Sequence, residues 1–182
     1  SLVAARDTSF IPANGPAFDG PPPMPRNLPD FTPSPLRRPL PVIAMAASPR
    51  APLLAVASHE HVRLLDATTQ QQLGAMPFPE GQPNVIRFSR DGRVLMVAGG
   101  KPVHSGCVVL LDVATGRRLA SIGDEIDAVL AADLSADQQL VALGGSGRIV
   151  KVYGTVDGKL RYKLTKHTDW ITSLAFSSDG KK

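Results

Sequence analysis

Four histidines, one cysteine and a glycine run around a single serine are the residues of this 182-residue chain whose types and spacing invite chemistry. His59-Glu60-His61, with His104 elsewhere, puts two imidazoles one residue apart in what reads as a turn. An H-x-H pair in a turn lacks the geometry of H-E-x-x-H on a helix, where one face aims both nitrogens at the same ion, so no metal site is expected. Cys107 is the one cysteine, which forbids an internal disulfide or an all-cysteine metal site. Its setting, Cys107-Val108-Val109-Leu110, suits a small buried side chain better than a nucleophile. Gly144-Gly145-Ser146-Gly147 has Arg148 where a nucleophile elbow needs its last glycine, and no helix follows that could open a dinucleotide fingerprint. A tight turn between two strands accounts for it. With no Walker loop, no C-x-x-C-H haem attachment and no constellation of acid, base, nucleophile and metal, the chain reads as non-enzymatic and without a cofactor.

Composition removes further classes. Charged residues make up 20% and hydrophobic ones 43%, an ordinary globular balance. Lys and Arg (20) outnumber Asp and Glu (16) only slightly, for a net charge of +4. No basic run is interleaved with aromatics as single-strand binding requires, so no nucleic-acid partner is expected. No apolar run approaches the roughly 18 residues that span a bilayer. The chain starts at Ser1 without a Met and stops on Lys181-Lys182 where a strand is due, so both ends read as cut. Localisation therefore depends on residues outside this stretch: cytoplasmic, or exported and periplasmic given an upstream signal.

The elements that would position these residues repeat. The stretch from His167 to Gly180 reads as a loop ending in His, an alternating strand with Leu174 and Phe176 on one face, and a Ser-Ser-Asp-Gly turn. Copies lie upstream at Val85 to Gly92, with Ser89 and Asp91, at Leu130 to Asp137, with Gln138 in the glycine place, and at Met45 to Pro49. Their serines Ser48, Ser89, Ser135 and Ser177 are 41, 46 and 42 residues apart. A repeat of about 40 to 45 residues built of strands and turns is the spacing of a four-stranded propeller blade. Between the serines run short strands: 42–47, 53–57, 62–66 and 72–76, then 84–88, 94–98, 108–112 and 118–122, then 128–134, 140–143, 149–153 and 160–164. Ala57, Ala98 and Gly144 each fall nine residues after their serine, small residues where neighbouring sheets come close.

On these residues the chain resembles WD-repeat β-propellers over 41–182. The resemblance implies an all-β partial propeller: blades at about 41–80, 81–125 and 126–165, and the start of a fourth over 166–182. The family's Trp-Asp dipeptide appears as Leu65-Asp66 and Leu111-Asp112 and is replaced by Tyr153-Gly154 in the third copy. Asp91 and Asp179 sit in Asp-Gly turns, where a carboxylate bonds the backbone two residues on. His167 matches the family histidine of a hydrogen-bonded network, but the equivalent positions in the complete repeats are Arg38, Pro79 and Glu125. His167 is thus expected to be structural. Residues 1–40 hold ten of the seventeen prolines and are expected to form a mostly disordered, extended linker.

Function follows from the resemblance, not from a reactive site. In the family, the loops between second and third strands share one face of the disc with those leading into each inner strand, and that face often holds a partner. The expected rim comprises Lys101 and His104, in the long insertion Gly99 to Gly106, with Asp124, Glu125, Asp127, Arg148, Asp169 and Trp170. A scaffold binding a protein, or a neighbouring domain of the same polypeptide, is the leading expectation. An alternative rests on similarity to bacterial proteins in which such a propeller follows a c-type cytochrome domain. A third is a propeller hydrolase or dehydrogenase with a metal or quinone in the central channel, where Arg87 and Asp133 alone interrupt apolar inner strands. Closed propellers have about four to eight blades. Three blades and a strand cannot close, so the chain by itself is expected to be poorly stable or to self-associate through open sheet edges.

Overall fold

The structure, a computed structural model, describes residues 24–26, 28 and 41–177. Among them run twelve strands: β1 (Ala44–Ala47), β2 (Leu53–Ser58), β3 (His61–Asp66), β4 (Gln72–Pro77), β5 (Gln82–Phe88), β6 (Val94–Lys101), β7 (Ser105–Asp112), β8 (Arg118–Glu125), β9 (Val129–Leu134), β10 (Leu140–Gly145), β11 (Val150–Gly154) and β12 (Leu160–Leu164). They form three four-stranded meanders, β1-β2-β3-β4, β5-β6-β7-β8 and β9-β10-β11-β12. The first strands stand side by side, β1 against β5 and β5 against β9. This is a partial β-propeller of three blades.

Packing between blades explains why the middle strands carry apolar residues on both faces. One cluster joins Leu53, Ala55, Leu64, Met76 and Phe78 of the first blade to Ile86, Leu95, Val97, Val109 and Leu111 of the second. Another joins Val94, Met96, Val108, Leu110 and Ile122 of the second blade to Val129, Ala132, Val141, Leu143 and Tyr153 of the third. Each large side chain so buried contributes about 1.5–3 kcal/mol. Residues 171–177, expected to open a fourth blade, form no strand and have no ladder partner among the described residues. Ile171 is buried against Ala131 and Val150, and its N–H donates to the Gly145 carbonyl at 3.0 Å.

The serine period has a local cause. Ser89 Oγ donates to Asp91 Oδ1 at 2.5 Å and accepts from Val94 N–H at 3.0 Å, so one hydroxyl fastens the turn to the next strand. Ser135 repeats this with Asp137 at 2.6 Å and Leu140 N–H at 2.9 Å. In the first blade Arg50 stands where the aspartate would be, and Ser48 Oγ accepts from Arg50 and Ala51 N–H at 3.4 and 3.3 Å. Gly92 takes φ 73°, and Gln138 is driven to φ 62° at the same place, because the turn geometry needs the left-handed region whatever residue occupies it. Strand-end aspartates cap the outer turns: Asp66 Oδ1 accepts from Thr68 and Thr69 N–H, both at 2.8 Å, and Asp112 Oδ1 from Thr115 N–H at 2.7 Å. In the third blade Gly154 leaves that place open, and a Cβ there would lie 2.6 Å from Asp157 Oδ1. The carboxylate of Asp157 moves into the space from the turn and accepts from Lys159 N–H at 3.0 Å.

Two sequence expectations need amendment. Gly99 to Gly106 is mostly strand, not loop: Gly99 pairs with Cys107, Gly100 with Gly106 and Lys101 with Ser105, leaving a turn at 102–104. The extra residues lengthen the β6–β7 hairpin because backbone groups pairing with each other satisfy the donors and acceptors that a loop would leave to water. Within the proline-rich segment, Met24 and Leu28 pack half-buried on the cluster shared by the first two blades. Arg26 N–H donates to the Ala114 carbonyl at 3.0 Å. At these positions the chain is docked and is not a free spacer. The rest of residues 1–40 lies outside the described residues, as does Asp179.

Candidate functional site

Asp127, in the connection from β8 to β9, is the fastening point of one end of the blades. Its Oδ1 accepts from Val103 N–H at 2.8 Å, in the β6–β7 turn, and from Ala128 N–H at 2.8 Å. Ser146 Oγ, in the β10–β11 turn, donates to its Oδ2. One carboxylate thereby ties three loops from two blades. Asn84 adds a second tie, its Nδ2 donating to the Val129 carbonyl at 3.0 Å. Glu125 and Lys151 form a third, at 2.8 Å between the end of β8 and β11.

Around this fastening the chain exposes large apolar side chains. Val103 is 88% exposed, Ile126 87% and Trp170 61%. A mainly apolar cavity of about 380 Å³ lies between Pro102, Val103, Leu130 and Trp170, with Gln82, Asn84 and Asp127 on its wall. A second, of about 440 Å³, is lined by Ile126, Ile149, Asp124, Glu125, Lys151 and Lys163 among others, and shares Val103, Asp127 and Ser146 with the first. The two depressions flank Asp127.

Of the expected rim residues, Asp124, Glu125 and Asp127 line the second cavity, while Asp127 and Trp170 line the first. Arg148 reaches the 166–170 segment, where Nη1 donates to the Thr168 carbonyl at 3.4 Å. Asp169 accepts from the Trp170 backbone N–H at 2.8 Å. Lys101 and His104 are exposed and line neither cavity. His167 is exposed as well. Reasoning from sequence missed Val103, Ile126 and Ser146. Ile126, an isolated apolar residue flanked by Glu125 and Asp127, was the available signal.

Electrostatics reinforce the fastening. Ser146 Oγ first, then the N–H groups of Val103 and Ala128, hold the Asp127 carboxyl below the usual carboxylate range, since each bond favours the charged form. A folded-state value below the unfolded one means that the carboxylate stabilises the folded loops above the ordinary pKa. That contribution disappears as pH falls through the depressed value. The Val103 amide proton shift, followed by NMR as pH falls from neutral, should therefore titrate with a midpoint below that of an ordinary aspartate. A midpoint at or above the ordinary aspartate value would show that Val103 and Asp127 are not bonded. Elsewhere, burial pushes the Cys107 thiol up. Burial is also the main influence lowering His61, whose Nδ1 lies 2.7 Å from the His59 carbonyl.

Residues 158–182 match the WD domain, G-beta repeat, family. The chain is also similar to the DENN domain and WD repeat-containing protein SCD1 of Arabidopsis thaliana, 27% identical over 114 residues, 63% of this chain and 9% of that protein. The transcription factor unc-37 of Caenorhabditis elegans is 28% identical over 139 residues, 76% of this chain and 22% of that protein. The chain thus spans about a tenth and about a fifth of these relatives. The family match and the WD repeat-containing relative make the C-terminal part of the partial propeller similar to WD-repeat proteins. Both relatives are eukaryotic, so they lend no support to the expected link with bacterial cytochromes.

Proposed function

We propose that this chain is a non-catalytic WD-repeat module that binds a protein, or a neighbouring domain of its own polypeptide, on the rim fastened by Asp127. The observation that carries this reading is the exposure of Val103, Ile126 and Trp170 beside one carboxylate that ties the loops of the first two and lines a cavity with the third. Isolated exposed apolar residues are ordinary, but large ones grouped beside two depressions mark an interaction surface. Because the loops are already held, little ordering entropy is lost when a partner docks. Trp170 is the expected anchor, with an aromatic body available to the partner and an indole N–H to orient it.

The test compares the intact chain with Trp170→Ala and Val103→Ser in quantitative binding to whatever protein it retains reproducibly. Trp170→Ala should weaken that association about 30-fold or more, the ordinary cost of truncating an aromatic anchor. Leu73→Ser, on β4, should leave it unchanged. Equal affinity for wild type and both rim variants would place the binding surface elsewhere.

A further inference from the structure

The β6–β7 turn runs Lys101-Pro102-Val103-His104 and is closed by His104 N–H donating to the Lys101 carbonyl at 3.1 Å. Proline suits the second place of such a turn, and a positive φ in the third is the conformation that favours glycine there. Val103 occupies it at φ 57°. The β2–β3 and β10–β11 turns put Glu60 and Arg148 in the same region, at φ 58° and 60°, and Gln70 and Gln138 adopt it in other turns. None of those four is branched at Cβ. A β-branched side chain crowds its own backbone in this conformation, so Val103 is strained where the others are merely uncommon. Burial does not offset the strain, since the side chain is 88% exposed. Asp127 fixes the turn through the Val103 N–H, a bond that glycine would make equally well.

What the side chain does is wall the 380 Å³ cavity, together with Pro102, Leu130 and Trp170. The one charged residue of that wall, Asp127, accepts at both oxygens, from Val103 and Ala128 N–H and from Ser146 Oγ, so its charge is already stabilised from within the protein. Two carboxamides complete the polar side. Gln82 Nε2 donates to Asn84 Oδ1 at 3.2 Å, and Asn84 Nδ2 donates to the Val129 carbonyl at 3.0 Å. Each amide nitrogen has two N–H groups and these bonds use one of each, while Gln82 Oε1 takes part in neither. A peptide group, with one donor and one acceptor, is their natural counterpart.

We propose, resting on the rim reading above, that Val103 is kept in its strained turn for contact with the partner. With Trp170 it clasps one apolar side chain of a neutral peptide segment, whose backbone meets Gln82 and Asn84. The substitution that relieves the turn therefore removes the contact, and stability and binding move in opposite directions at this one position.

N-acetyl-leucinamide is a neutral peptide unit with one apolar side chain, and Trp170, the only tryptophan, reports on the cavity it lines. Titrated into the intact chain, N-acetyl-leucinamide should shift the Trp170 indole and Val103 amide resonances saturably. N-acetylglycinamide, which lacks the side chain, should bind at least about tenfold more weakly. N-acetyl-leucine, with a carboxylate in place of the amide, should also bind more weakly, because Asp127 repels it. Val103→Gly should raise the melting temperature by about 2–4 °C and lower the affinity for N-acetyl-leucinamide about fivefold or more. Glu60→Gly, which relieves the same φ in a turn outside the cavity, should leave that affinity unchanged. If Val103→Gly is no more stable than the wild type, the turn is not strained. If it is more stable and binds N-acetyl-leucinamide as before, the side chain plays no part in contact. Either result overturns the inference, as does an N-acetylglycinamide that binds as well as N-acetyl-leucinamide. The rim reading is decided separately, by Trp170→Ala and the retained protein, and none of these outcomes fixes that result.

Discussion

Replacing Gly99 with alanine should destabilise the protein by about 3 kcal/mol or more, above the usual range for overpacking because the obstruction is backbone. A Cβ at Gly99 would fall 1.9 Å from the Gln82 carbonyl oxygen and 3.0 Å from Asn84 N. Neither neighbour is a side chain that can turn aside. The strain is placed where the β5–β6 register shifts between Pro83 and Val85, so relief would require breaking the ladder that carries the β6–β7 hairpin to the rim. Equilibrium urea unfolding measures the effect as a lower midpoint at unchanged slope. Gly147→Ala is the matched control, since nothing lies within 4 Å of its Cβ, and its cost should stay within about 0.5 kcal/mol. Similar costs for the two variants would mean that β5 and β6 do not approach as closely as described.

Truncating Phe78 to alanine should cost about 3–5 kcal/mol. The side chain is 1% exposed and sits in the cluster that joins the first two blades, just beyond β4. Its backbone is fixed as well, with the N–H donating to the Glu60 carbonyl at 2.8 Å and the carbonyl accepting from Gly81 N–H at 3.3 Å. Neighbours held by ladders cannot collapse into the space, so a cavity penalty adds to the lost transfer energy. Leu73→Ala on β4, partly exposed, should cost under about 1 kcal/mol. Thermal or urea unfolding separates the two, and a Phe78→Ala cost below about 1.5 kcal/mol would show that the first seam does not rest on this residue.

The fold was legible because its signals are local. A serine every 41 to 46 residues, turns with Asp and Gly, and five-residue apolar runs are set by hydrogen bonds between residues two to five apart, as Ser89, Asp91 and Val94 demonstrate. Blade stacking then follows from the middle strands, whose two apolar faces have nowhere to go but against neighbours. The same logic misjudged the Gly99 to Gly106 stretch, since its glycines and proline suggested a loop where the backbone could still pair.

What the amino-acid order determined by itself is therefore the repeat, the all-strand class and the poverty of reactive groups. Only the folded chain decided that Asp127 fastens Val103, 24 residues away, and Ser146, 19 residues away. It also decided that Val103, Ile126 and Trp170 come to lie beside that aspartate, and that Arg87 of β5 meets Asp133 of β9. The reason is physical: a turn is specified by the few residues that make it, whereas a meeting of side chains from different blades depends on how whole sheets lean on one another. No window of sequence shorter than two blades contains that information.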